Sequence, residues 1–218
     1  MRWSAAMSPN RPVRTAGDSP DVSDALEALV EAYALKDETR TGWQLREIEA
    51  PESVAAHTWG VALLVARFCP PELDRERALT LAIVHDAAEA ETGDIATRAE
   101  AGAQSVDADE KERREREAMA GPLAALGEEI HEAWEAYEAR DTPEARFVKD
   151  MDVLDTCLQA LVYERQRRYD PDADNPHFEE YDDLDEFFAT GEPRLSTDRG
   201  RELFESVRER YETAKRTR

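Results

Sequence analysis

The sequence predicts an all-α protein built as one helical domain. Three observations carry this. Apolar residues recur at three- and four-residue spacing in block after block. No run of alternating β-branched residues is long enough for a sheet strand. The blocks are bounded by helix signals, such as Thr142-Pro143 at a start and Pro70-Pro71 or Gly121-Pro122 at a stop. A chain of 218 residues can enclose one ordinary core.

Residues 1–20 mix Ser, Pro, Asn, Arg and Gly without a period, which predicts a disordered tail. From Asp21 the pattern turns helical, with Leu26, Leu29, Val30 and Tyr33 as an apolar stripe and Ser23 or Asp24 as the N-cap. Arg40 to Trp43 breaks it. A second helix opens at Glu52-Ser53 and runs to Phe68. Its buried stripe is Val54, Val61, Leu64, Val65 and Phe68. A third runs from Asp74 to Ala90, with Leu81, Val84 and Ala88 inward, and ends at Thr92-Gly93-Asp94. Residues 95–106 read as loop. A densely charged helix covers 107–120 and another 122–139. Thr142 caps a long helix that reaches about Tyr169, with Val148, Met151, Leu158 and Val162 as its stripe. Residues 170–196 are acidic and aromatic and read as cover for a core edge, with part of a dimer contact as the alternative. The last helix spans about Thr197–Lys215. No internal repeat and no Gly-rich phosphate loop is present.

Charge narrows the functional classes. Lys+Arg is 28 and Asp+Glu is 50, a net charge of −22. A nucleic-acid backbone needs a basic footprint, and an anionic membrane does too. The acidic residues are spread along the chain, and Lys36, Lys111, Lys149 and Lys215 are its only lysines. That pattern is expected of a protein adapted to concentrated salt. Disorder is excluded by the periodic blocks, since 41% of the residues are hydrophobic. Cys69 and Cys157 form no CxxC, so a reducing, cytoplasmic location is expected. No apolar run approaches a membrane span, and no signal peptide is visible.

Four polar residues stand where a core helix would not want them. His57 falls between Val54 and Val61 on the inner face of the second helix. His85-Asp86 interrupts the most apolar stretch of the chain, and Glu89 lies on the same face as His85. Asp152 borders the stripe of the long helix, and Asp155 lies within it. Alone, His57 reads as a hydrogen-bonded core histidine, and Asp152 as a cap or ion-pair partner. Together, imidazoles and carboxylates on the inner faces of three helices are costly unless a divalent cation compensates. His131 reads as a helix-surface residue and His177 as a loop residue.

The order His57…His85-Asp86…Asp152 resembles the HD-domain metal-dependent phosphohydrolases. The contexts Glu52-Ser53-Val54-Ala55-Ala56-His57, His85-Asp86-Ala87-Ala88-Glu89…Gly93-Asp94-Ile95 and Lys149-Asp150-Met151-Asp152…Leu158-Gln159-Ala160…Tyr163-Glu164 narrow it. They resemble the 5′-deoxynucleotidase branch, the HD domain-containing protein 2 group and its YfbR-like bacterial counterparts, over roughly residues 24–169. The resemblance implies an HD-domain helical bundle with residues 170–218 as a helical extension. It implies that His57, His85, Asp86 and Asp152 hold a divalent cation such as Mn, Co or Mg, and that Glu89 and Asp94 assist the attacking water or bind a second metal. Asp94, Ile95 and Thr97 would face the nucleotide, and Trp43 its sugar. The family has an Arg directly before that aromatic. Here Gly42 takes the place, so Arg40 or Arg46 would orient the phosphate. A homodimer is also implied.

These readings converge on a metal-dependent hydrolase that removes the 5′-phosphate of (deoxy)ribonucleoside monophosphates with activated water. No Ser, Cys or Asp stands in a nucleophile motif, so no phosphoenzyme is expected. The alternatives are an HD phosphohydrolase acting on a triphosphate or cyclic nucleotide, and a non-catalytic, metal-stabilised helical binding protein.

Overall fold

A computed structural model describes residues 21–99 and 102–217. The tail expected over 1–20 lies outside the described residues. The helices are α1 (Val22–Ala32), α2 (Thr41–Leu45), α3 (Val54–Phe68), α4 (Arg75–Val84), α5 (Glu89–Thr92), α6 (Ala108–Ala120), α7 (Glu128–Ala139), α8 (Pro143–Gln166), α9 (Asp185–Gly191) and α10 (Asp198–Arg216). Among the described residues the only β pairing is an isolated bridge between Thr39 and Ser53.

α8 is the axis of the molecule. Thr142 caps it by accepting from the Ala145 amide, and Pro143 occupies its first turn, where no amide proton is needed. α3, α4, α7, α9 and α10 pack around it. Val61, Leu64 and Val65 of α3, Leu81 of α4 and Met151, Leu154 and Cys157 of α8 form the centre of the core. A smaller cluster joins Val84, Ala87 and Ala88 to Met119, Leu123 and Trp134. Both cysteines are free and buried.

α10 is fastened to α8 by one carboxylate. Asp150 is fully buried and accepts from the backbone and hydroxyl groups of Ser196 and from those of Thr197. Phe204, Val207 and Tyr211 then join the core. The 170–196 segment covers the core edge as expected: Phe178, Leu184 and Phe188 are buried.

Five details differ from the sequence reading. The first helix is capped at Asp21, not at Ser23 or Asp24. Its stripe faces outward: Leu26, Leu29, Val30 and Tyr33 are 45–64% exposed, and Ala28 is the residue that packs. Periodicity identifies a face and does not say what covers it. The third helix does not run on to Ala90. It stops at Val84, and residues 85–88 form tight turns closed by three-residue bonds such as Ala87 N–H to Val84 O. The helix expected over 122–139 is divided by Gly127, whose φ of +109° is open to glycine and strained for other residues. Finally, Val162 is exposed, the α8 stripe running instead through Leu154, Cys157 and Leu161.

Candidate active site

Helix packing brings the polar exceptions together. Val54 and Val61 are buried against the core, so His57 between them is fully buried too. The tight turn after α4 aims His85 and Asp86 at the same point, and α8 presents Asp152 from below. His57 Nε2 lies 3.2 Å from Asp152 Oδ1, 3.3 Å from His85 Nε2 and 3.7 Å from Asp86 Oδ2. His85 Nε2 is 3.0 Å from Asp86 Oδ2. Donor atoms of His57, His85 and Asp152 all fall within 4.8 Å of one another.

Each of these groups is oriented from behind. His57 Nδ1 faces Asp155 Oδ2 at 2.7 Å. A carboxylate there accepts, so Nδ1 carries the proton and Nε2 is left facing the centre. His85 Nδ1 donates to the Ala82 carbonyl at 2.9 Å, with the same effect. Asp152 Oδ2 accepts from the Tyr137 hydroxyl at 2.7 Å and from Lys149 Nζ at 2.8 Å, which turns Oδ1 toward the imidazoles. Gly60 makes room for Asp155, since a Cβ there would overlap its carboxylate. Outer partners of this kind fix ligand geometry in metal sites.

Sequence reasoning gave Asp155, Lys149 and Tyr137 no role. Lys149 was readable as an i, i+3 partner of Asp152. Asp155 carried the same signal as Asp152, a carboxylate on a buried stripe. Tyr137 comes from a separate helix and gave no signal.

The donor set fits a divalent cation. Two imidazole nitrogens and two carboxylates converge on one point. Burial and Arg40 lower the pKa of His57, but its bonds to Asp152 and Asp155 prevail and push it up to about 10. The centre therefore demands positive charge. Burial would raise Asp86, yet His85 and His57 hold it below the usual carboxylate range. Burial would raise Asp152 as well, and Lys149 with His57 holds it well below that range. Ionised carboxylates beside imidazole nitrogens, where a cation can take the place of the His57 proton, suit a first-row divalent metal.

A pocket opens above the centre, lined by Arg40, Trp43, Asp86, Glu89, Asp94, Ile95, Thr97 and Asp152 among others. It thus gathers every sequence-predicted substrate residue except Arg46. That residue is buried elsewhere, donates to the Asp183 carbonyl at 2.7 Å and packs on Tyr169 and Phe178. Arg40 is the one that reaches the pocket. Burial disfavours its charge, but Asp94, Asp86, Glu52 and Asp152 more than restore it, so it is a permanent cation.

Glu89 is 4% exposed, and its Oε2 has no hydrogen-bond partner among the described residues. Oε1 lies 3.4 Å from Lys111 Nζ. Burial, then the charges of Asp86 and Asp94, pushes its carboxyl well above the usual range, with Lys111 opposing. A carboxylate so placed holds a proton more strongly than a free one, the property a general base needs. Asp94 lines the pocket and also binds the backbone amide of Thr41, while its own carbonyl accepts from the Thr41 hydroxyl at 2.7 Å. It thereby pins α2 and the Arg40–Trp43 turn. Trp43 is 1% exposed, held by a bond from Nε1 to Glu52 at 3.0 Å and by the Phe187 ring, 4.0 Å between centroids. His131 and His177 lie outside the pocket, as expected, on α7 and in a loop.

The chain can be compared with known proteins on this basis. Residues 32–188 match the family model described as HD domain. Over 134 residues the chain is 41% identical to a mouse protein named 5′-deoxynucleotidase HDDC2, covering 60% of this chain and 65% of that one. It is 39% identical over 140 residues to 5′-deoxynucleotidase hdd1 of Schizosaccharomyces pombe, covering 61% and 68%. The chain thus spans about two thirds of the length of these relatives. Among solved structures, the PH0347 protein of Pyrococcus horikoshii OT3 superposes with a TM-score of 0.66 at 27% identity, covering 86% of this chain and 98% of that one. A predicted metal-dependent phosphohydrolase of Magnetospirillum magnetotacticum MS-1 superposes with a TM-score of 0.61 at 25% identity, covering 89% and 93%. With the family model covering most of its length and the His/Asp centre gathered in its core, the chain belongs to the HD-domain family.

Proposed function

We propose that the chain is a metal-dependent phosphomonoester hydrolase of the 5′-deoxynucleotidase type, releasing nucleoside and phosphate from (deoxy)ribonucleoside monophosphates. The observation that carries the reading is the convergence of His57, His85, Asp86 and Asp152 beneath a pocket holding Arg40 and the partnerless Oε2 of Glu89. The relatives' names support the same chemistry.

In this reading the four residues hold a divalent cation, which when bound supplies Lewis-acid polarisation and favours deprotonation of water. The remaining work falls to the chain. Arg40 offsets the phosphate charge and orients it. Glu89 takes a proton from the attacking water as the water oxygen bonds to phosphorus and the P–O5′ bond breaks, and O5′ takes up a proton, returned by Glu89 or by solvent, to leave as the nucleoside hydroxyl. Ile95 and Thr97 face the nucleotide, and Trp43 backs the sugar. Asp94 holds the Arg40–Trp43 turn in register and, with Glu89, offers oxygens to a second cation. The enzyme is a cytoplasmic homodimer in this reading. No helix among the described residues is long and apolar enough to cross a membrane. The outward stripe of α1 supplies the apolar face that a second copy would cover.

The test is phosphate release from metal-stripped protein with Mn, Co or Mg restored, in molar KCl. Deoxy- and ribonucleoside monophosphates, a triphosphate and a cyclic nucleotide are compared. The expected result is metal-dependent release from monophosphates, absent in Asp86→Ala. Release only from the triphosphate or cyclic nucleotide moves the substrate class. No release from any of them by folded, metal-loaded protein supports the binding-protein alternative.

A further inference from the structure

The C-terminal extension contributes one wall of the pocket. Phe187, Thr190, Gly191 and Arg194 line it. Gly191 and Arg194 lie beyond the residues matched by the family model, which end at 188, and so does Thr190. The segment sits close against α8 because residue 191 has no side chain. A Cβ on Gly191 would come within 2.7 Å of Val153 Cγ1, the neighbour of Asp152 in sequence. The extension is therefore seated directly beside the metal-binding end of the pocket.

Two of its polar groups are unspent. The Thr190 hydroxyl is buried and has no hydrogen-bond partner among the described residues. Leaving a buried hydroxyl unpaired costs free energy unless something binds it. Arg194 is partly buried and, among the described residues, makes no ion pair. The other cations on the pocket wall, Arg40 included, already face carboxylates of this chain. Arg40 is surrounded by four carboxylates, Lys111 pairs with Glu89 and Glu115, and Lys149 pairs with Asp152. Arg194 lines the same pocket as Lys149 and Asp152.

We propose that Arg194 and Thr190 form a phosphate-binding subsite, the guanidinium and the hydroxyl taking oxygens of the substrate's 5′-phosphate dianion. The proposal deepens the nucleotidase reading and rests on it for the identity of the substrate. It also answers a problem of charge. In a protein carrying −22, a dianion beside Asp86, Asp152, Glu89 and Asp94 needs positive charge in addition to that of Arg40, which these carboxylates already surround. Arg is the suited side chain, since its fork matches two phosphate oxygens at once.

The test measures binding and turnover separately on manganese-loaded protein in molar KCl. Inorganic phosphate is titrated by calorimetry into the unaltered protein and into Arg194→Ala, Arg194→Lys and Thr190→Val. The same proteins are assayed for KM and kcat on a deoxyribonucleoside monophosphate and for inhibition by the free deoxyribonucleoside. Loss of one charge-assisted contact should weaken phosphate binding and raise KM by about ten- to hundredfold in Arg194→Ala. Arg194→Lys should recover part of this, and Thr190→Val should lose about three- to tenfold. Inhibition by the nucleoside, which has no phosphate, should stay within about twofold, and the melting temperature should not move; these two readouts separate a phosphate contact from a structural role. Unchanged phosphate affinity and KM in Arg194→Ala would overturn the subsite while leaving the nucleotidase reading intact. Arg194-dependent phosphate binding without turnover in the unaltered protein would sustain the subsite and overturn the nucleotidase reading.

Discussion

Asp155 shows how much of this site depends on a residue that touches no substrate. Its carboxylate fixes the His57 tautomer, and the absence of a side chain at Gly60 gives it room. Asp155→Ala should weaken metal binding by about ten- to hundredfold without unfolding the protein, read by metal titration alongside a thermal melt. Metal affinity equal to that of the unaltered protein would show that His57 needs no such partner. At this scale the sequence was most informative about the centre itself. His57, His85, Asp86 and Asp152 were each conspicuous as polar residues on apolar faces, and the structure brings them together. Arg194 and Thr190 were not conspicuous. They lie in a segment whose acidic and aromatic composition reads as a cover for the core, and only its packing against Val153 turns them toward the pocket.

Elements were legible where a local signal fixed them. Thr142-Pro143 and Thr197 mark true helix starts, because a cap is a short-range bond between a side chain and a nearby amide. The end of α4 was not legible. Residues 85–88 have helix-compatible side chains, and the turn is tightened by three-residue bonds that propensity does not encode. That turn matters, since it carries Asp86. The stripe of α1 misled for a different reason: its apolar face is real, and it points away from this chain's own core. The docking of α10 depends on Asp150, which satisfies four donors from Ser196 and Thr197. Asp150→Ala should cost about 1–3 kcal/mol of stability, measured by urea unfolding. A change below about 0.5 kcal/mol would mean that apolar contacts alone seat α10.

Across the whole molecule the dominant property is charge. The net value of −22 creates self-repulsion that dissolved salt screens, with a Debye length of about 8 Å at physiological ionic strength and about 3 Å at 1 M. The thermal midpoint should therefore rise by several degrees between 0.1 M and 2 M KCl, and a midpoint that falls would contradict salt adaptation. The same field bears on function, because an anionic substrate is repelled everywhere except where cations are concentrated. Arg40, Lys111, Lys149 and Arg194 all line one pocket, so the fold gathers scarce positive charge where the phosphate must go. The fold class was readable from periodicity alone. The oligomeric face was not, and sedimentation tests it: a dimer should appear at about twice the 24.7 kDa of one chain, and Val30→Glu on the α1 stripe should shift it toward monomer.

The account turns on Glu89 acting as a base beside the metal centre of His57, His85, Asp86 and Asp152. The most direct measurement compares metal content and phosphate release in Glu89→Gln and in the unaltered protein, both loaded with manganese. The substitution keeps shape and removes the proton acceptor. The predicted result is retained metal with turnover of deoxyribonucleoside monophosphates reduced by about 10²–10⁴-fold. Full turnover with metal bound would contradict it and remove Glu89 from the chemistry.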